Sequence, residues 1–357
     1  MIAAQVLEYG LGNNDVNPGQ HLLRNWGAER YVIQKITSGH INCTFLLTGP
    51  HDSMILQRVH PVFGEEVHQD IYHLSRILRQ AGIRCPEIIK TMEGTLFVRD
   101  DEGAIWRALT HLSGETLTQL ESPTTAREAG ALLGRFHAAL WDTDYELKHC
   151  RPGVHDTPRH VNKLVNVLAS SQSHPFYPRV DALATRVQAH LANLDSIQGL
   201  PSRFVHGDPK ITNFLFDKKG RASAMIDLDT MGKMPLVAEL GDTFRSWCNL
   251  AHEDSVGANF SMVHFREGMY GYCSQMSEHM TSSELNLIYD GILTITLELT
   301  VRFLTDTLEE SYFAWDSVQY RRSSEHQWYR AQGQHALALS IMSHERSLKE
   351  IVGHFQS

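Results

Sequence analysis

The sequence predicts an α+β protein with two lobes, a small antiparallel β lobe followed by a larger, mainly helical lobe. Short β-like runs separated by turn-forming residues dominate as far as residue 109. Beyond the Ser113-Gly114 break, long segments with helical periodicity dominate instead. We therefore expect an N-terminal lobe with an N-terminal extension over residues 1–112, and a C-terminal lobe over residues 113–357.

The predicted N-terminal lobe has the order strand, strand, strand, helix, strands. Apolar residues recur at helical spacing over residues 67–81, and Gly82 ends that pattern. The polar segment at 49–53 suits a hairpin connection. The β-like runs cover residues 31–33, 43–47, 54–59, 95–98 and 104–109.

The predicted C-terminal lobe is helical apart from one β-rich stretch. Helical periodicity covers residues 124–141, 179–194, 282–308 and 325–352. The β-rich stretch has runs at 204–208, 213–217 and 224–229, with a tight turn between the first two. Acidic and polar residues therefore lie at strand ends and in loops.

Composition excludes several classes of protein. Of 357 residues, 42% are hydrophobic and 20% are charged, which is typical of a folded globular chain. The net charge of −9, without a dense basic block, disfavours nucleic acid and anionic membrane as partners. The five cysteines form no CxxC pair, and the 21 histidines form no HExxH motif, so neither a disulfide framework nor a histidine metal site is expected. We expect a cytoplasmic protein.

The strongest motif is the segment from His206 to Asn213, which has the spacing H-x-D-x-x-x-x-N of a kinase catalytic loop. Phosphoryl transfer needs a group that orients the attacking hydroxyl and accepts its proton, a role that Asp208 fits. It also needs oxygen ligands for Mg²⁺, and Asn213 and Asp227 fit that role. The alternative is that these side chains cap turns and lie in solvated loops.

With these residues the chain resembles the aminoglycoside phosphotransferase superfamily, whose fold is protein-kinase-like. Residues 133–138 resemble its L-G-x-x-H-A helix, and Gly241-Asp242 resembles a later element whose Asp braces the catalytic loop. For His137 and Asp242 this implies structural roles. The resemblance also implies that ATP is bound with Mg²⁺ and that the partner is a small-molecule substrate.

Within that superfamily the sequence is most similar to the N-acetylhexosamine 1-kinase branch. The similarity lies at residues 38–42, 155–158, 208, 226–230 and 302–304. It implies transfer to the anomeric hydroxyl of a sugar. It also implies that the substrate contacts the following residues: His40, Asp208, Thr230, Arg302 and Tyr312. On ordinary packing grounds, Arg302 could instead pair with Asp306 one helical turn on, and Tyr312 could lie in the core.

The same resemblance implies nucleotide contacts at Ser38, Gly39, Gln57, Thr110 and Leu112. Two departures stand out. Gln57 occupies the position where a kinase strand carries Lys, and the following helix has no Glu after Glu66. The missing cation must then come from elsewhere.

Strand alternation limits which side chains of these strands can face the cleft. Arg58 follows Gln57 directly and so faces the other side of the sheet. Of Trp106 and Arg107, only one can face the cleft between the lobes.

Two other functions remain open from the sequence. An amino-alcohol or aminoglycoside kinase would present acidic residues to a cationic substrate, and Glu298, Glu309 and Glu310 could supply them. A nucleotide-binding pseudokinase scaffold would account for the missing Lys and Glu, but it has no chemical need for Asp208, Asn213 and Asp227 together. The sequence leaves the oligomeric state undetermined.

Overall fold

The computed structural model describes residues 17–36, 42–149 and 154–356. These residues form an antiparallel β lobe followed by a larger helical lobe, and the predicted α+β, protein-kinase-like class is confirmed. Within these ranges, no helix is both long and apolar enough to cross a membrane.

The N-terminal lobe is built on one antiparallel sheet. Its strands run in the order β1-β2-β3-β6-β4, and β5 also pairs with β6. The strands and helices of this lobe are β1 (Val32–Ile36), β2 (Cys43–Thr48), β3 (Ser53–Arg58), β4 (Ile88–Ile89), β5 (Val98–Arg99), β6 (Ile105–Thr110), α1 (Gln20–Leu23) and α2 (Val67–Gln80).

The register of this sheet decides which side chains face the cleft. Gln57 of β3 lies opposite Thr44 of β2 and opposite Arg107 of β6, so these three side chains share one face. Trp106 faces the other way, into a small core where it stacks on Phe45 with ring centroids 6.1 Å apart. Arg107 is therefore the member of the Trp106-Arg107 pair that faces the cleft.

The C-terminal lobe is mainly helical. Its helices are α3 (Pro123–Leu140), α4 (Thr157–Ser170), α5 (Tyr177–Leu191), α6 (Leu236–Trp247), α7 (Met262–Met276), α8 (Ser282–Asn286), α9 (Ile288–Glu309), α10 (Ser323–Ser343) and α11 (Glu345–Gly353). Its strands are β7 (Glu115–Thr116), β8 (Ser202–Val205), β9 (Phe214–Phe216), β10 (Ala222–Met225) and β11 (Gly232–Pro235).

Helix α9 is the centre of this lobe. Every residue from Ile288 to Leu308 is buried, and α4, α5, α6 and α10 pack around the helix. The polar residues Glu298, Arg302 and Asp306 are spaced by four and so share one face of a buried helix. Buried polar groups in such a row need partners, and these partners form part of the candidate site.

The predicted elements agree with the structure in kind and differ at some boundaries. The periodic segment at 282–308 is two helices, because the Thr281 capping box starts α8 and the chain breaks at Leu287 before α9. The segment at 325–352 is likewise divided at His344. The domain boundary at 112/113 stays a prediction; it falls between β6, in the first sheet, and β7, which pairs with β9.

Glycines allow α3 and α7 to pack closely. A Cβ added at Gly271 of α7 would lie 2.0 Å from the carbonyl oxygen of Arg127 in α3, and one added at Gly130 would lie 2.1 Å from that of Gly268. Backbone atoms cannot move aside as a flexible side chain can. The two helices therefore depend on the absence of a side chain at these positions.

We predict that Gly271→Ala lowers the free energy of unfolding by about 1–3 kcal/mol, because the added methyl group overpacks the α3–α7 contact. Gly353→Ala is the matched control, since nothing lies within 4 Å of a Cβ there. It should be neutral or stabilising by up to about 1 kcal/mol. Urea denaturation measures both variants. Equal midpoints for the two would contradict the packing account.

Candidate active site

The segment from His206 to Asn213 is a tight loop between β8 and β9, and Gly207 makes its turn. Gly207 has φ +81°, and an added Cβ would lie 2.1 Å from the carbonyl oxygen of Thr230. A side chain is therefore excluded on both conformational and steric grounds. The hydroxyl of Thr230 donates to the carbonyl of His206 at 2.8 Å, and Nε2 of His206 lies 2.9 Å from the carbonyl of Ile226.

The carboxylate of Glu239 on α6 braces this loop. Its Oε1 accepts the backbone N–H of His206 at 2.8 Å, and its Oε2 accepts that of Gly207 at 3.0 Å. His137 Nε2 lies 3.3 Å from Oε1, and His137 Nδ1 lies 2.9 Å from the hydroxyl of Tyr272. The side chains of Glu239, His206, His137 and Tyr272 are all buried. Because each carboxylate oxygen accepts one backbone N–H, Glu239 fixes the loop's first two peptides.

Glu239 corrects the expectation that Asp242 braces the loop. The Asp242 carboxylate instead accepts Nη2 of Arg245 at 2.7 Å and Nε at 3.1 Å. Glu239 lies three residues before Asp242, on the same helix face, and outside the Gly241-Asp242 pair that carries the resemblance.

Asp208 lies at the centre of the loop and is 1% exposed. Its Oδ2 accepts Nζ of Lys210 at 2.6 Å, and Nδ2 of Asn213 lies 3.3 Å from the same oxygen. Burial alone would raise the pKa of Asp208, but the neighbouring Lys210 ammonium helps hold it well below its usual range. Asp208 is therefore ionised at neutral pH.

Asn213 and Asp227 present two side-chain oxygens of the kind that Mg²⁺ and Ca²⁺ accept as ligands. Asn213 uses Nδ2 to donate to the carbonyl of Asp208 at 2.8 Å, and that orientation leaves Oδ1 as an acceptor. Among the described residues, none donates a hydrogen bond to the Asp227 carboxylate. No group of three or more His, Cys, Asp or Glu side chains in the described chain could hold a metal alone. The pair therefore fits a cation that takes its remaining ligands from phosphate.

The environment of Asp227 favours such a cation. Burial, with the carboxylates of Asp229 and Asp208 nearby, raises the pKa of Asp227 to about 7. Its backbone is left-handed, with φ 64° and ψ 59°, a conformation that costs a non-glycine residue energy. In these surroundings the carboxylate ionises less readily unless further positive charge lies close to it.

Arg107 supplies a cation on the N-terminal side of the cleft. Its Nη1 and Nη2 donate to the two carboxylate oxygens of Asp229 at 2.5 and 2.8 Å, and its Nε and Nη2 donate to Oε1 of Gln57 at 3.0 and 2.7 Å. Arg107 is 2% exposed and Asp229 is 1% exposed. The cation absent from the Gln57 position thus comes from the neighbouring strand at the same level of the sheet.

On the C-terminal side, Glu298 and Arg302 of α9 lie near the segment that carries His155. Glu298 accepts the hydroxyl of Thr157 at 2.6 Å and lies 3.1 Å from His155 Nδ1. Arg302 is 8% exposed and donates through Nη2 to the hydroxyl of Tyr312 at 3.0 Å. Its Nη1 is buried and has no hydrogen-bond partner in the described part of the chain.

Asp306 does not pair with Arg302, although the sequence left that pairing open. Its carboxylate accepts the backbone N–H groups of Ser311, Tyr312 and Phe313 at 2.7–2.9 Å. It thereby fixes the turn after α9 and places Tyr312 beside Arg302. The guanidinium carbon of Arg302 lies 5.6 Å from the centroids of both the Tyr312 and Phe313 rings.

A chain of charges links these residues to the catalytic loop. Burial lowers the pKa of Arg245, and the carboxylates of Asp242, Glu253 and Asp208 together raise it above its usual value. Burial raises the pKa of Asp242, while Arg245 and then His155 lower it.

The predicted nucleotide contacts are only in part within the described residues. Ser38, Gly39 and His40 lie outside them. Gln57 faces the cleft, with Oε1 bonded to Arg107 and Nε2 donating to Thr44 at 3.2 Å. Thr110 ends β6, and its N–H donates to the carbonyl of Glu87 at 2.9 Å. Leu112 follows it, partly exposed, between the lobes.

Residues 32–261, more than half of the chain, match a family model described as the phosphotransferase enzyme family, APH. The chain belongs to this family. It is a small-molecule kinase of the aminoglycoside phosphotransferase kind, a phosphotransferase with an alcohol group as acceptor.

Solved structures share the fold at low sequence identity. A microcompartment-associated aminopropanol kinase is 15% identical with a TM-score of 0.64, covering 92% of this chain and 97% of its own. An amicoumacin kinase in complex with AMP-PNP, Ca²⁺ and Ami is 13% identical with a TM-score of 0.59, covering 88% and 90%. A choline kinase from Cryptosporidium parvum Iowa II is 13% identical with a TM-score of 0.56, covering 95% and 99%.

We predict that Glu239→Gln lowers kcat at least tenfold, because an amide cannot accept both loop N–H groups. The lost charge-assisted bonds should also lower the free energy of unfolding by about 1.5–3 kcal/mol. Steady-state kinetics with an acceptor that the wild type uses, and urea denaturation, measure the two effects.

Glu284→Gln is the matched control, since Glu284 is a buried carboxylate that accepts both the N–H and the hydroxyl of Thr281 away from the cleft. Both of these bonds go to the same oxygen, Oε2, and the amide oxygen of glutamine can accept both, so this variant should lose less stability and keep its kcat. If Glu239→Gln lowered the free energy of unfolding but left kcat unchanged, the bonds from the loop to Glu239 would have no role in catalysis.

Proposed function

We propose that the chain is an ATP- and Mg²⁺-dependent kinase that phosphorylates the anomeric hydroxyl of an N-acetylhexosamine, giving the sugar 1-phosphate. The sequence resemblance at residues 155–158, 226–230 and 302–304 supports a sugar as the acceptor. The main structural support comes from Arg302, which is buried and whose Nη1 has no hydrogen-bond partner among the described residues. A buried donor without a partner is costly, and an acceptor oxygen on a bound sugar would satisfy it.

The charges around Arg302 favour a neutral substrate over a cationic amine. Both oxygens of Glu298 are occupied by His155 and Thr157. Burial raises the pKa of Glu298, but His155 and its hydrogen bond bring it below its usual value. An ammonium substrate would therefore find the Glu298 carboxylate already bonded to His155 and Thr157, and it would be repelled by the Arg302 guanidinium.

The other acidic candidates for binding an amine are also occupied. Glu309 pairs with Lys163 at 2.7 Å, and Glu310 accepts the N–H of Ser324 at 3.2 Å. The aminopropanol and choline kinases named above share the fold, and they are the reason to test amino alcohols alongside sugars. A hexosamine suits the site better, because its hydroxyls and acetamide supply both donors and acceptors.

His40, Thr230 and Tyr312 complete the proposed sugar contacts with Arg302. The hydroxyl of Thr230 donates to the carbonyl of His206, so its oxygen remains able to accept a hydrogen bond from the sugar. The Tyr312 ring is partly exposed and can lie against a sugar ring.

We assign nucleotide contacts to Ser38, Gly39, Gln57, Thr110 and Leu112. Asn213 and Asp227 would hold Mg²⁺, which when bound neutralises the phosphates and orients them for transfer. Lys210 adds a positive charge between Asp208 and Asp227, and the attraction of Asp208 raises the pKa of Lys210 despite burial. The cytoplasmic location and the lack of a nucleic-acid partner stay predictions from composition.

Asp208 would orient the anomeric hydroxyl and receive its proton. The sugar oxygen forms a bond to the γ-phosphorus, the bond from that phosphorus to the β–γ bridging oxygen breaks, and ADP leaves. Because the pKa of Asp208 is held low, the carboxylate is a weak base that acts first by accepting a hydrogen bond. Proton transfer then accompanies or follows bond formation.

A pseudokinase scaffold would bind nucleotide without turning over any acceptor. The spacing of Asp208, Asn213 and Asp227, and the Arg107 cation in place of a strand Lys, give no reason to expect inactivity. A coupled ADP-release screen over sugars, choline, homoserine and aminoglycosides distinguishes an active kinase from a scaffold. Turnover of none of them with nucleotide binding intact would favour the scaffold.

We predict that N-acetylglucosamine is phosphorylated on O1 and not on O6. A 1-phosphate removes the reducing end, and phosphorus coupling to the anomeric proton identifies it by NMR. Arg302→Ala should raise KM for the sugar by roughly 10- to 150-fold, which corresponds to about 1.5–3 kcal/mol for a hydrogen bond to a charged group, and leave KM for ATP unchanged.

Arg330→Ala is the control for Arg302, since Arg330 also lies over Phe313, at 5.0 Å, but is paired with Glu253. It should leave the sugar KM unchanged. A 6-phosphate product, or an Arg302 variant defective only toward ATP, would defeat the sugar site and leave the kinase assignment intact.

A further inference from the structure

The cleft contains a buried ion pair whose two partners come from different lobes. Arg107 lies on β6 of the N-terminal sheet, and Asp229 lies two residues after Asp227, in the turn at Leu228–Thr230. Nη1 and Nη2 of Arg107 donate to the two carboxylate oxygens of Asp229, and both residues are buried. The pair therefore joins the sheet to the loop that carries the proposed metal ligand.

We propose that Arg107 is a positioning residue for phosphoryl transfer: it holds the Asp227 loop against the N-terminal sheet and thereby sets the metal ligand relative to the nucleotide. In this chain the strand residue that bears the positive charge is Arg107 of β6, and it bonds to the Asp227 loop. The position where a kinase strand carries Lys is occupied by Gln57. The inference rests on the proposed role of Asp227 and does not depend on which acceptor is used.

The hydrogen bonds of Arg107 favour positioning over direct phosphate binding. A guanidinium has five N–H groups, and the four bonds to Asp229 and Gln57 use four of them. With 2% of the residue exposed, little of it is available to a ligand. A planar fork held on two sides fixes orientation in a way that a lysine ammonium cannot.

Asp229 also holds a second part of the N-terminal lobe. Its Oδ2 accepts Nδ2 of Asn42 at 2.7 Å, and Oδ1 of Asn42 accepts the backbone N–H of His60 at 2.9 Å. Asn42 directly follows residues 37–41, where the nucleotide contacts are predicted. One carboxylate therefore connects β6 and Asn42 to the Asp227 loop.

A separate anchor limits how the lobes can move about this pair. Asp70 of α2 accepts the hydroxyl of Tyr145 at 2.9 Å and the backbone N–H groups of Lys148 and His149 at 2.9 and 2.7 Å. The N-terminal lobe is thus attached to the C-terminal lobe at α2 and at β6. Removing the Arg107 link should leave the lobes attached and the Asp227 loop free to shift.

Energetics separate positioning from simple stabilisation. Removing one member of a buried ion pair leaves an uncompensated charge and destabilises a protein, whereas replacing both with apolar residues is often neutral or stabilising. If the pair served stability alone, an apolar pair would replace it in every respect. If it positions the loop, the apolar pair restores stability and leaves catalysis impaired.

The experiment compares Arg107→Met, Asp229→Leu and the double variant with the wild type. We expect each single variant to lower Tm by several degrees and the double variant to recover most of that loss. The kcat of the double variant should stay at least tenfold below wild type. Its affinity for AMP-PNP should change less than threefold without metal, while the gain in affinity on adding Mg²⁺ should shrink at least tenfold. Recovery of kcat and of the Mg²⁺ effect together with Tm would overturn the proposal.

Arg107→Lys tests the same point with the charge retained. It should fold and keep metal-free AMP-PNP affinity, yet lose at least tenfold in kcat, because an ammonium cannot hold both Asp229 oxygens and Gln57. Wild-type kcat in this variant would overturn the proposal even if the double variant fails to fold. Arg58→Met is the matched control, since Arg58 lies on the other face of β3, paired with Glu102 at 2.8 Å, and it should leave every measurement unchanged.

The AMP-PNP titrations keep this test separate from the identity of the substrate. If the wild type phosphorylates no hexosamine, the sugar proposal fails. The Mg²⁺-dependent part of nucleotide binding still decides the role of Arg107.

Discussion

The bonds from Glu239 to the backbone of His206 and Gly207 are the constraint on which the site depends. A loop that turns at a positive-φ glycine leaves peptide N–H groups pointing inward, and buried N–H groups need acceptors. One carboxylate on α6 satisfies two of them. Trp247, at the other end of α6, donates to the carbonyl of Pro209 at 2.8 Å. The position of Asp208 therefore follows from the docking of a single helix.

The distribution of charge across the cleft follows from that placement. Asp208, Asp227 and Asp229 are drawn together by the loop and by the turn that follows β10, and their mutual repulsion must be offset. Lys210 offsets Asp208 and Arg107 offsets Asp229. Asp227 has no cation bonded to it among the described residues, and its raised pKa reflects this. A divalent ion bound with nucleotide would supply the positive charge that Asp227 lacks.

Much of this could be predicted from the sequence, and the remainder depends on contacts between distant segments. The two-lobe fold and the loop around Asp208 follow from local periodicity and motif spacing. The role of Arg107 could not, because strand alternation leaves two residues as candidates and only the register of β3 with β6 selects one. Glu239 was missed because a helical glutamate carries no sign of its target. Helical spacing makes Asp306 a possible partner for Arg302, yet its carboxylate accepts backbone N–H groups of the turn after α9.

The measurement that tests the central claim most directly is single-turnover phosphoryl transfer by Asp208→Asn at saturating ATP. The amide keeps the shape of Asp208 but cannot accept the acceptor's proton. Our account predicts that transfer is largely abolished while ATP affinity stays near the wild-type value. Transfer at a third or more of the wild-type rate would contradict the assignment of Asp208 as the group that activates the acceptor hydroxyl.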